Sequence, residues 1–102
     1  MSVPNPSQID LEMGLQRRFH LSSAARVRPE GFGGLAYIFQ NQKLFFIAPT
    51  LMPFVKAQGE TVAQVIAQIE AEAGKKLSQK SLVVLLLKLE DLKEKGVLDE
   101  QQ

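Results

Sequence analysis

The sequence predicts an α+β fold, a winged helix-turn-helix in which an N-terminal three-stranded antiparallel sheet precedes three helices. Three observations carry that expectation. The segment GLAYIFQNQKLFFIA, from Gly34 to Ala48, alternates like a β-hairpin; apolar residues recur at helical spacing beyond Pro49; and a tight Gly74-Lys75-Lys76-Leu77 connection joins the second and third helical stretches. With 102 residues, 45% of them hydrophobic, the chain suits one domain with a modest core.

The elements follow in order. The first six residues hold two prolines, an asparagine and a serine and read as a loose arm. An arm over residues 1–18 is expected, loose or carrying a short helix, since Ile9 and Met13 recur near helical spacing while Gly14 weakens the pattern. Residues 26–30 form a short extended segment, because Pro29 fixes its own φ and pushes Arg28 toward extended geometry. Gly31, Gly33 and Gly34 supply a turn. Strands follow at 35–40 and 43–48, rich in aromatic and β-branched residues, with Asn41-Gln42 as a two-residue connection that places Tyr37 opposite Phe46 and Ile38 opposite Phe45.

Beyond the sheet the period changes. Thr50 is the expected N-cap of a first helix that holds Pro53 in its first turn, turns Leu51, Phe54 and Val55 inward, and stops at Gly59. A capping box, Thr61 to Gln64, opens a second helix whose apolar stripe is Val62, Val65, Ile66, Ile69 and Ala73. Ser78 caps the third, with Leu82, Leu85, Leu86, Leu89 and Leu92 facing inward and Gly96 ending it. Val97 and Leu98 are expected to fold back onto the core.

Charge and composition narrow the function. Basic against acidic residues number four to three over 1–30, two to one over 31–60 and six to seven over 61–102, so no basic field steers the chain to nucleic acid. The absence of cysteine removes disulfides, thiolate nucleophiles and iron–sulfur ligation. His20, the sole histidine, has neither partner for a metal nor an orienting group for a nucleophile, and Gly31-Phe32-Gly33-Gly34 precedes a strand instead of opening a phosphate-binding helix. The acids Glu90, Asp91 and Glu94 alternate with lysines as a solvated helix face. The chain is therefore read as non-catalytic, without a cofactor or bound metal. It has no secretory segment and no apolar run long enough for a bilayer, so it is read as cytoplasmic and free of the membrane.

The hairpin is the informative feature. Alternation puts Leu35, Tyr37, Phe39, Leu44 and Phe46 on one face, and Ala36, Ile38, Phe45 and Ile47 on the other, which is more apolar surface than so small a domain buries. On the third helix Val83, Val84 and Leu87 fall outside the buried stripe. If that helix flanks the last strand, side chains of both line a groove beside an open row of backbone donors and acceptors, the geometry for β-strand addition of a peptide. Ordinary packing on two sides accounts for the same residues, and two uses from another class compete: a winged-helix DNA-binding protein, and a structural protein that forms a homodimer through the edge strand.

The stretch Arg28-Pro29-Glu30-Gly31-Phe32-Gly33-Gly34-Leu35-Ala36-Tyr37, followed by Lys43-Leu44-Phe45-Phe46-Ile47 and a short proline-initiated helix, resembles the mycofactocin precursor peptide chaperones, small members of the PqqD-like group of precursor-peptide recognition elements. The resemblance spans about residues 19–99 and is most specific in Arg-Pro-Glu-x-Phe-Gly; a PqqD-like domain over 19–102 is the corresponding expectation. It implies a chaperone that binds the leader of a ribosomally made precursor peptide and presents it to a radical S-adenosylmethionine maturase, without catalysing the step. It further implies that the leader adds as an antiparallel strand along Lys43, Leu44, Phe45, Phe46 and Ile47 and packs against Lys80, Val83, Val84 and Leu87. Arg26 and Arg28 receive no role.

Overall fold

The computed structural model describes residues 6–101, so the first five residues of the expected arm lie outside the described residues. Four helices and five strands follow one another as α1 (Pro6–Leu15), β1 (Arg18–Leu21), β2 (Ala25–Glu30), β3 (Gly33–Ile38), β4 (Lys43–Ile47), a 3-10 turn (Pro49–Leu51), α2 (Met52–Val55), α3 (Val62–Ala73), α4 (Gln79–Glu94) and β5 (Leu98–Gln101). The fold is mixed α+β, with an antiparallel three-stranded sheet in the order β2-β3-β4 and a second, two-stranded sheet of β1 and β5. To the expected order of strands and helices the chain adds β1 in front and β5 behind, while α1 is the short helix that is one of the two expectations for the arm.

The hairpin register differs from the expected one. Ala36 faces Phe45 and Tyr37 faces Leu44, so residues 39–42 form a longer connection than Asn41-Gln42 alone, and it is Gln42, not Asn41, that takes positive φ. The Asn41 side chain instead accepts a hydrogen bond from the Lys43 backbone N–H at 3.2 Å. The slip is two residues along the pair, and because side chains alternate with period two, both faces keep their membership. Ala36, Ile38 and Ile47 enter the core, while Leu44 and Phe46 face outward. Gly33 makes the preceding turn possible: with φ at 131°, a side chain there would collide with the Ile47 carbonyl oxygen and the start of the 3-10 turn.

The helices are punctuated largely as expected. Thr61 and Gln64 complete a reciprocal capping box, with Gln64 N–H donating to Thr61 Oγ1 at 3.2 Å and Thr61 N–H donating to Gln64 Oε1 at 2.8 Å. Ser78 Oγ accepts from Ser81 N–H at 3.1 Å, and Gly96, at φ 87°, lets Val97 N–H reach back to the Leu92 carbonyl at 2.9 Å, which swings Val97 and Leu98 into the core. Two details are corrected. Thr50 sits inside the 3-10 turn and caps nothing, because Pro49 starts that turn and α2 stops at Lys56, short of Gly59. Ala73 is exposed, since α3 leaves the core beyond Ile69.

Phe54, Val62, Leu89, Val97 and Leu98 are enclosed between the sheets and α2 to α4. Phe19 of β1 joins them and pins the two-stranded sheet to the body. Above it, the Arg17 guanidinium lies 4.8 Å from the Phe19 ring and grips Glu100 with two hydrogen bonds, Nε to Oε2 at 2.9 Å and Nη2 to Oε1 at 2.6 Å. Glu90 of α4 meets the same guanidinium at 2.5 Å, and Lys93 meets Glu100 at 2.9 Å, so one network joins the start of β1, β5 and α4. Among the described residues no helix is long and apolar enough to cross a membrane.

Two predictions follow from this scaffold. Thr61→Ala removes an acceptor from the box and is expected to cost about 1 kcal/mol in urea denaturation. The Arg17 hydrogen bonds hold the Glu100 carboxyl well below its ordinary range, at about 2. A depressed carboxylate stabilises the fold fully above its unfolded-state value and loses that contribution as pH falls toward 2. Glu100→Gln should therefore lower the urea midpoint at neutral pH, with the gap to the wild type closing as both are acidified through that window.

Candidate functional site

β4 is the edge of its sheet: among the described residues it pairs with β3 alone, so the backbone groups on its far side have no strand partner. The other edge, β2, carries Pro29, which lacks a donor, and a local ion pair from Arg28 Nε to Glu30 Oε1 at 2.5 Å. β4 has neither proline nor glycine along its five residues.

α4 comes near that edge at two points. Thr50, just beyond β4, lines a cleft of about 380 Å³ with Ile69 and Leu77 and with Lys80, Val84 and Lys88 of α4. At the other end, Lys95 Nζ, at the helix cap, sits 5.1 Å from the centre of the half-buried Phe45 ring. The first half of α4 thus lies by Thr50, beyond the end of β4, and its cap lies by Phe45, so helix and strand run antiparallel. Val84, 42% exposed, is an apolar floor residue between Lys80 and Lys88.

The residues singled out in the sequence divide over three surfaces. Val84 and Lys80 line the cleft beside Thr50, while Phe45 meets Lys95 at the cap of α4. Leu44 and Phe46 lie on the outer face of the sheet, where Phe46 is 77% exposed and meets the Phe32 ring edge-on at 5.6 Å. Tyr37 and Phe39 extend that face at 5.5 Å, with the Arg26 guanidinium 5.6 Å from the Phe39 ring. Ile47 is wholly buried and contributes only backbone to the edge. Lys43 begins the strand and is exposed.

Val83 and Leu87 lie elsewhere. They face α1 across a cleft of about 590 Å³ shared with Leu11, Met13 and Leu86. α1 approaches α4 so closely that a side chain on Gly14 would collide with Leu86, and this packing separates Val83 and Leu87 from the strand. The helical offset explains the division: one residue turns the helix by about 100°, so Val83 and Val84 point to different flanks of the buried Leu85, Leu89 and Leu92 stripe.

Thr50, Ile69, Lys88 and Lys95 were not singled out for the site. Lys88 and Lys95 read as part of a solvated face, although the spacing of Lys80, Val84 and Lys88 by fours was a usable signal for one continuous strip. The outer face tests which apolar residues are free: Phe46→Ser should change stability by less than about 0.5 kcal/mol, whereas Phe54→Ala should cost about 3–5 kcal/mol in the same urea titration.

Comparison with known proteins identifies one relationship. Residues 18–99 match the sequence profile of the peptide chaperone MftB family. No curated protein and no solved structure matches the chain.

Proposed function

The chain belongs to the peptide chaperone MftB family, a peptide chaperone of mycofactocin biosynthesis, and from that premise we propose that its precursor peptide binds by adding a strand to β4. The observation that carries the proposal is the unpaired edge of β4, flanked by α4. Main-chain hydrogen bonds fix register, each contributing about 0.5–1.5 kcal/mol net. Specificity comes from alternate side chains of the guest: one series meets Phe45 and Val84, the other meets Leu44 and Phe46.

In this role the protein performs no chemistry on the peptide. It holds the leader extended and leaves the segment to be modified free for a radical S-adenosylmethionine maturase, so the chaperone raises the local concentration of substrate at that enzyme. The cleft beside α4 suits this role, since it offers an apolar floor at Val84 flanked by Lys80 and Lys88.

Phe45→Asp and Val84→Asp are expected to weaken precursor binding at least about tenfold, as each places an unpaired carboxylate where an apolar guest residue packs. Isothermal titration with the precursor peptide measures it, and circular dichroism should remain that of the wild type. Normal binding by both variants would place the groove elsewhere. Sedimentation of the free chain tests the competing use of the same edge: a concentration-dependent dimer that excludes peptide would replace strand addition with self-association.

A further inference from the structure

The strip of α4 beside Thr50, just beyond the end of β4, has a repeat of its own. Lys80, Val84 and Lys88 succeed one another by four residues, steps of about 6 Å along a helix, and all three line the same cleft. Side chains on one face of a β-strand succeed one another by two residues, steps of about 6.7 Å. A strand added to β4 and continued alongside Thr50 therefore keeps pace with this series for at least three consecutive inward side chains. Among the described residues Lys80 and Lys88 make no ion pair, in contrast to Lys93 and Lys95, which bond Glu100 and Asp91.

Resting on strand addition to β4, we infer that the groove selects an acidic peptide with the pattern acidic-x-aliphatic-x-acidic, the two carboxylates reaching Lys80 and Lys88 and the aliphatic residue packing on Val84. The intervening positions point to the outer face, beside Leu44 and Phe46, and are apolar. Direction is set as well. An antiparallel guest on β4 runs parallel to α4, so its first acid meets Lys80 and its second meets Lys88.

Three synthetic peptides test the pattern: one with two glutamates four residues apart flanking a valine, one with the same composition and each glutamate moved one residue inward, and one with lysines replacing the glutamates. Fluorescence anisotropy is expected to rank the first tightest, by about tenfold over the second, because two partly exposed ion pairs together contribute about 1.4 kcal/mol. Added salt should narrow that gap. Lys80→Glu combined with Lys88→Glu should reverse the preference in favour of the lysine peptide, and both residues are exposed, so the fold is retained. Amide hydrogen exchange of β4 in each complex keeps the two inferences apart. Protection of β4 by all three peptides with equal affinity overturns the acidic pattern and leaves strand addition standing; no protection by any peptide overturns both.

Discussion

A β-strand with one side of its backbone unbonded is the constraint on which the remaining features turn. Buried or half-buried peptide groups need partners, and a sheet edge supplies a template for another chain unless something blunts it. Of the two edges in this sheet, β2 is interrupted by Pro29 and guarded by the Arg28–Glu30 pair, while β4 is continuous. Under the proposed strand addition, the asymmetry favours one side, the side on which α4 approaches Phe45 and Thr50.

The rest of the fold keeps α4 in place beside that edge. Leu85, Leu89 and Leu92 anchor it to the core, the Gly96 turn commits Val97 and Leu98 to the interior, and Arg17 binds Glu90 on the helix and Glu100 on β5 at once. Helix position and the small two-stranded sheet are thus mechanically joined. If the peptide binds as proposed, residues far from β4 contribute to recognition by fixing the position of α4.

What could be read from the sequence follows the range of the interactions involved. Local signals were legible: the Thr61–Gln64 capping box, the Ser78 cap and the two faces of the hairpin depend on residues within a few positions of each other. The register between β3 and β4 was displaced by two because Asn41-Gln42 resembles a tight turn, but the alternation preserved the inward and outward sets. β1 and β5 escaped notice. They are four residues each, β5 reads Leu-Asp-Glu-Gln, and what pairs them is contact between chain ends some eighty residues apart, such as Arg17 with Glu100. The candidate site was half legible for a similar reason. Val83, Val84 and Leu87 share an apolar character, and the helical offset separates Val84 from the other two, but which flank meets α1 and which lies by Thr50 is set by tertiary packing.

The most direct measurement is nuclear Overhauser spectroscopy of the isotope-labelled protein in complex with its precursor peptide. Strand addition predicts alternating interstrand contacts between peptide α-protons and those of β4, together with contacts from every second peptide side chain to Phe45 and Val84. A bound peptide that shows none of these contacts, and lies instead in the cleft between α1 and α4, would contradict it.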